Sequence, residues 1–290
     1  MRALIGWLEL EPLLAVVLWG GVYPGAKLGL REIPVLSFTA LRLVVATVVL
    51  IAVAGPSGRP ALSRDLLRPL LNAGAAQTAF QLLLVAGVRR TTAGNSAILL
   101  ATAPLLTAGW LALTRRESLG ARQLGGLLLG IAGVGLVVQH AGGGSDLLGD
   151  AIALAAAGAW AWYGLAIGPV VDRLGARWAT GLTMAIAAVV IIPLALPELH
   201  ALGWQAISWP AWAGLLYGAT LGMVVAMTLW GRSVSRLGPR QTMIYVYLEP
   251  VSAVVIAALL LGESLGAIQA LGAALTFAAV WIASTRAPAT

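Results

Sequence analysis

An all-α integral membrane protein, with ten transmembrane helices arranged as two inverted five-helix repeats, is the fold class this sequence predicts. Three observations carry that expectation. Sixty per cent of the 290 residues are hydrophobic and only 10% are charged, whereas a soluble domain shows about 25% charged residues. Apolar runs of roughly twenty residues recur, each able to cross a hydrocarbon core of about 30 Å at 1.5 Å per residue. Finally, the segment Glu-Ser-Leu-Gly-Ala occurs twice, at Glu117–Ala121 and Glu263–Ala267. Each copy follows a proline, Pro104 or Pro250, by thirteen positions, and 13 of the 31 residues in Pro104–Val134 are identical to those 146 positions later. Internal duplication in so apolar a chain is a signature of membrane carrier folds.

The apolar runs fall at 12–30, 34–54, 66–87, 92–113, 120–139, 147–169, 176–196, 209–231, 239–261 and 265–284. Between them stand Arg, Asp, Glu, Gly or Pro, which sit at an interface at little cost but not at the membrane centre. No connection is long enough for a soluble domain. The first repeat spans 1–140 and the second 146–286, joined by a short turn at Gly142–Gly144. The first run keeps Trp19 and Lys27 and lacks a small-residue cleavage site, so it reads as a retained helix. Cysteine is absent, which excludes disulfides and thiolate chemistry. In the fifth run Gly125, Gly126, Gly130, Gly133 and Gly135 make one face small, for close packing within a monomer or between the two chains of a homodimer.

The net charge of +7 is topological. With ten spans and the N-terminus inside, thirteen of the eighteen basic residues lie on the inner side, among them Arg64, Arg68, Arg115, Arg116, Arg173, Arg177, Arg232, Arg236 and Arg240. Positive charge concentrates on cytoplasmic loops, so both termini are expected in the cytoplasm and nucleic acid is not expected as a partner. Five spans per repeat is an odd number, so the second copy must be inverted. Arg115 and Arg116 precede the inner copy of Glu-Ser-Leu-Gly-Ala, while Leu261 and Gly262 precede the outer one, as inversion requires.

Trp19-Gly20, Phe38-x-x-x-Arg42, Leu248-Glu249-Pro250 and Leu261-Gly262-Glu263 together resemble EamA-type domains of the drug/metabolite transporter superfamily, over about 12–284. In that family two inverted five-helix copies make a ten-helix carrier. The resemblance implies a multi-pass protein of the cell inner membrane that moves a small-molecule substrate, most often an exporter of amino acids or related amphiphilic compounds. Trp160 aligns with Trp19, but Thr183 stands where Arg42 leads one to expect arginine. Fold-level likeness does not choose a substrate.

Polar side chains in a bilayer span face other helices or a watery cavity. Trp19, Tyr23 and Lys27 repeat every four residues along one face, and Pro24 loosens that helix in the same turn. Lys27 is either a cation at the mouth of a path or a snorkelling anchor. Gln77 and Gln81 stand one turn apart beside Phe80, suited to a polar solute or to holding helices together. Asn95 lines the path or caps its helix. Trp160 and Tyr163 share a face and offer an aromatic wall, and Tyr217 adds another ring. Trp230 reads as an interfacial belt residue.

Thr242, Tyr245, Glu249 and Ser252 form one polar face on an apolar helix. A carboxylate at that depth must be paired, hydrated or protonated. Glu249 either binds a substrate ammonium or a coupling proton, or pairs with Arg42. Its counterpart in the first copy is Ala103, so the halves are not chemically equivalent. Pro104 and Pro250 are hinges or ordinary kinks, and Glu117 and Glu263 suit helix N-termini. There is no G-x-S-x-G, H-E-x-x-H or P-loop, and no metal or cofactor is expected. Alternating access between the two repeats is the expected mechanism, against an uncoupled facilitator or channel, a lipid-handling protein or a scaffold.

Overall fold

The computed structural model describes residues 9–54, 63–88, 90, 99–115, 120–137, 147–261 and 267–284. Among these there is no strand. The helices are α1 (Leu10–Gly29), α2 (Val35–Ala54), α3 (Arg64–Val88), α4 (Ala103–Arg115), α5 (Ala121–Val137), α6 (Leu147–Leu174) and α7 (Ala176–Ala201), then α8 (Trp209–Tyr217), α9 (Met227–Leu237), α10 (Pro239–Ile244), α11 (Leu248–Leu261) and α12 (Ala267–Ser284). Leu and Ala dominate them, both strong helix formers. By length and composition four stretches are long and apolar enough to cross a membrane: Val35–Val53, Leu147–Leu174, Ala176–Ala201 and Trp209–Leu237. The apolar stretches Leu10–Val22, Ala103–Thr114, Ala121–Leu136 and Ala270–Ala283 are shorter.

Two breaks are set by glycine. Gly175 between α6 and α7 has φ 74° and ψ 155°, and Gly238 between α9 and α10 has φ 83° and ψ 158°. A Cβ makes that region nearly inaccessible, so both turns need glycine. Each glycine sits in an Arg-Leu-Gly-x-Arg segment, Arg173–Arg177 and Arg236–Arg240. In each, the glycine N–H closes the preceding helix, on Val171 or Val234. The chain thus makes the same reversal twice.

Besides a 3-10 turn at Trp204–Ala206 between α7 and α8, the helical backbone of the described residues departs from α geometry in two places. Gly218–Ala226, between α8 and α9, is π-helical, and Tyr245–Tyr247, between α10 and α11, is a 3-10 turn. Pro104 is the second residue of α4 and Pro250 the third of α11. Both stand in a first turn, where proline forfeits no intrahelical hydrogen bond. Helical backbone also precedes each of them, at 99–100 before a turn at 101–102 and over Pro239–Tyr247, so both stand just past a break in the helical path.

Helix pairing follows small residues. α2 packs on α7 and α5 on α12, while α3 lies against α6 and α1 against α8 and the π segment. On α5, Gly126 faces Ala283 and Ile282, Gly133 faces Thr276, and Gly130 lies under the ring of Tyr247, whose hydroxyl donates to the Leu127 carbonyl at 2.8 Å. The small-residue face is therefore spent inside the monomer, whereas Gly125 and Gly135 have open space above them.

The two ends of the bundle differ. At the near end, where α1 begins, Arg232 bonds Glu11 at 2.9 Å and Arg236 bonds Glu9 at 2.8 Å. Arg173 on α6 pairs there with Asp65 in the first turn of α3. Hydrogen bonds from Ser63 and then Arg173 bring the Asp65 carboxyl down to about 2. With its folded value depressed, this tie is fully present above the ordinary carboxylate range and is lost only as pH falls towards 2. At the far end, Glu198 near the end of α7 accepts from the Ser37 N–H at 2.9 Å, in the first turn of α2. Glu32, after α1, accepts from both the Ser208 hydroxyl and N–H at 2.6 Å, just before α8. Ile33, Phe38 and Leu215 form a small buried core beneath them.

Candidate functional site

Four of the sequence-derived candidates converge on one place. Trp160 of α6 is its centre, buried to 4% exposure. Its ring centroid lies 4.8 Å from that of Phe80 on α3, 5.3 Å from Trp19 on α1 in an edge-to-face contact, and 5.6 Å from Tyr163 in a stacked one. Gln77 and Gln81, on the same helix as Phe80, are buried as well. Four helices that are distant in sequence therefore meet at one ring.

The fourth is α9, and its contribution corrects the sequence-based expectation. Trp230, expected in an interfacial belt, is fully buried, 5.0 Å from Trp19 and 5.7 Å from Trp160. Position along a span does not reveal which way a ring points. Here Trp230, on the helix that follows the π segment, points inward. That segment leaves carbonyls off the regular ladder, and the Trp19 indole N–H donates to one of them, Gly222, at 2.9 Å. Trp19→Phe keeps an aromatic ring but removes this bond. It is expected to lower stability by about 1 kcal/mol, measured as a fall in the unfolding midpoint of the detergent-solubilised protein.

Buried polar atoms without a hydrogen-bond partner occur at several places in the molecule, Thr47, Thr107 and Trp178 among them, and four belong to this region. Gln77 Oε1, Gln81 Oε1, the Tyr163 hydroxyl and Trp230 Nε1 are buried without a hydrogen-bond partner. Tyr163 is directed towards Thr180 and Thr183 on α7 but does not reach bonding geometry with either. Buried polar atoms of this kind cost about 1–3 kcal/mol each, so a packed core does not accumulate them without cause.

The remaining candidates stand elsewhere. Tyr217 on α8 lies across Gly21 and donates to the Leu18 carbonyl at 3.2 Å, tying α8 to α1. Tyr245 is buried and its hydroxyl accepts the Glu9 N–H at 2.9 Å, at the near end. Glu249 is half-buried in the first turn of α11, directly after the 3-10 turn. The polar face expected around it is largely satisfied locally: Thr242 donates to the Gly238 carbonyl and Ser252 to the Leu248 carbonyl, each at 2.9 Å. In an apolar setting Ser and Thr hydroxyls turn back onto their own helix. Arg42 on α2 lies 5.1 Å from the Phe38 ring, beside Gly218, and forms no ion pair among the described residues. The side chains of Tyr23, Pro24 and Lys27, and all of Asn95, Glu117 and Glu263, lie outside the described residues.

Near the aromatic cluster a basin of about 670 Å³ opens at the near end. Glu11, Leu174, Arg177, Trp178, Arg232 and Arg236 are among its walls. On α9, Thr228 and Arg232 face the basin while Trp230, two residues from each, is on the opposite face with the cluster, so α9 stands between cluster and basin. In the sequence these arginines read as loop charges only. The repeated Arg-Leu-Gly-x-Arg is the signal that could single out Arg177 and Arg236, though not Arg232.

Comparison with known proteins agrees with this architecture. A solved crystal structure superposes with a TM-score of 0.78 over 94% of this chain and 95% of its own, at 18% identity, a likeness of fold. A probable terminal-alkyne amino-acid exporter of Streptantibioticus cattleyicolor is 29% identical over 274 residues, covering 94% of this chain and 92% of that protein. A probable amino-acid metabolite efflux pump of Escherichia coli is 30% identical, covering 93% of this chain and 92% of the pump. The model of the EamA-like transporter family matches twice, over residues 7–139 and 147–285. The chain belongs to the EamA-like transporter family, and is a multi-pass membrane transporter.

Proposed function

We propose that this protein is an alternating-access exporter of amino acids or related amphiphilic compounds, with the solute held at the Trp160 cluster. The observation that carries the reading is the set of buried, unpartnered polar atoms of Gln77, Gln81, Tyr163 and Trp230 around packed aromatic rings. Amide and hydroxyl groups left without partners here are the groups a zwitterionic solute would use, and aromatic faces suit its apolar side chain or cation. The names of the two amino-acid exporting relatives favour the same substrate class.

In this reading ten spans form two inverted repeats, 1–140 and 146–286, and the near end is cytoplasmic. Support comes from the pairing pattern: α2 meets α7 and α5 meets α12, each its own counterpart, while α3 lies on α6 much as α8 and α9 lie on α1. A basin at the near end together with carboxylate–serine ties at the far end describes an inward-facing carrier, closed outside. The ties cross between halves reciprocally, Glu32 to Ser208 and Glu198 to Ser37. The hydrogen bonds from Ser208 hold the Glu32 carboxyl below its ordinary value, so that tie is present at neutral pH and lost on acidification.

Flux into and out of proteoliposomes, for a panel of amino acids with and without a pH gradient, tests the function. Absence of flux for every solute would leave a lipid-handling or scaffold role. Because the chain has no cysteine, the closed end is also testable. A single cysteine at Leu202 is expected to react with an impermeant maleimide at least several-fold faster when Glu32 and Glu198 are both replaced by alanine. Equal rates would show that these ties do not keep the far end shut.

A further inference from the structure

We infer that the near-end basin is a capture site for organic carboxylates with an apolar body, ahead of the aromatic cluster. As the loading end of a path, it rests on the carrier reading above.

The basin is built by the first of the two Arg-Leu-Gly-x-Arg turns, Arg173–Arg177, and by the arginine that opens the second, Arg236. Its three guanidinium groups are not equivalent. Arg232 and Arg236 are held by Glu11 and Glu9. Arg177 is exposed and has no ion pair among the described residues. It is also the second residue of α7, a helix whose N-terminus no side chain caps. The N–H groups of a first helical turn have no acceptor within the helix, and the helix dipole favours negative charge at that end. Gly175, at φ 74°, brings this uncapped turn to the basin wall without a Cβ in the way. One exposed cation and one open helix end therefore meet in the same concavity.

The rest of the wall gives the selectivity. Val171, Leu174 and the Trp178 ring supply apolar surface, and the only carboxylate lining the basin among the described residues, Glu11, is already engaged with Arg232. An anion with a hydrophobic body finds partners for both ends. An ammonium group finds no unengaged acceptor of charge there. The volume, about 670 Å³, falls within the range of about 300–1,000 Å³ usual for small-molecule sites. The basin therefore reads the carboxyl end of a solute, and the ammonium has to be read elsewhere. A lipid phosphate could use the same arginine, and the experiment separates the two.

The test is calorimetric binding of 3-phenylpropionate to the full chain in nanodiscs of zwitterionic phosphatidylcholine. Arg177→Gln is expected to weaken binding by about tenfold, the scale of one charge-assisted hydrogen bond, and Arg177→Lys by less. The neutral 3-phenylpropionamide should not bind detectably. Equal affinity in wild type and Arg177→Gln, or no binding of the acid, overturns the proposal. So does a shift in unfolding midpoint with phosphatidylglycerol that depends on Arg177 while phenylpropionate stays unbound, since the occupant is then a lipid headgroup. Unfolding midpoints of the variants close to that of wild type exclude misfolding as the cause. Binding without flux of any solute would instead sink the carrier reading and leave the capture site standing.

Discussion

Glu249→Gln is expected to reduce solute flux in proteoliposomes about tenfold or more, the scale of one lost charge-assisted interaction, and to flatten its dependence on pH. The cause is local. Glu249 stands in the first turn of α11, immediately beyond the Tyr245–Tyr247 3-10 turn, so it sits where the backbone changes from one helical form to another. Its neighbours Thr242 and Ser252 are satisfied within their own helix, and Tyr245 is bonded to the Glu9 N–H, so Glu249 is the carboxylate of that face. Glutamine preserves volume and hydrogen bonding and removes only the charge and the titration. A variant with wild-type flux and an unaltered pH profile would exclude Glu249 from proton or ammonium handling. The midpoint of unfolding should change little in either case, which separates this effect from destabilisation.

Gly214→Ala is expected to destabilise the protein by about 2–3 kcal/mol or to prevent its accumulation in the membrane, as overpacking at a tight crossing does. A Cβ on Gly214 of α8 would fall on the Gly25 carbonyl oxygen of α1, and backbone cannot swing aside as a side chain can. Its partner gives the control. A Cβ on Gly25 would lie 3.4 Å from the Gly214 carbonyl oxygen, close to ordinary contact. Replacing glycine by alanine within a helix gains up to about 1 kcal/mol in helix propensity, so Gly25→Ala should be neutral or mildly stabilising. Comparable loss in both variants would mean that α1 and α8 cross differently from the arrangement described. Expression level and unfolding midpoint in detergent distinguish the pair.

Much of the architecture is legible from residue types alone. The apolar runs form helices because a chain with so few charges must satisfy its backbone internally once it is in lipid. The duplicated Glu-Ser-Leu-Gly-Ala segments fall one in each of the two stretches that match the family. The candidate site is legible in part. Trp19, Phe80, Trp160 and Tyr163 stand out as rings inside apolar segments, and they are the residues that meet. Trp230 escapes such a reading because a belt tryptophan and a core tryptophan have the same sequence context. The polar face at Thr242 and Ser252 dissolves because helical periodicity predicts which side a hydroxyl occupies, not that it bonds its own carbonyl one turn back. Nothing in residue type places the helix starts at Ala103 and Leu248, one and two residues before Pro104 and Pro250.

What the sequence determined by itself was a one-body property: which residues prefer lipid to water, how often, and with what repeat. That is enough for helical spans, family and the asymmetry of charge between ends. The tertiary structure alone decided the two-body facts. It turned Trp230 towards Trp19, and it left the Gln77 and Gln81 carbonyl oxygens buried without donors. It also gathered Arg177, Arg232 and Arg236 around one basin. Hydropathy fixes how deep a residue lies along its helix. The rotation of each helix about its axis depends on contacts with helices far away in the chain, and no single segment carries that information.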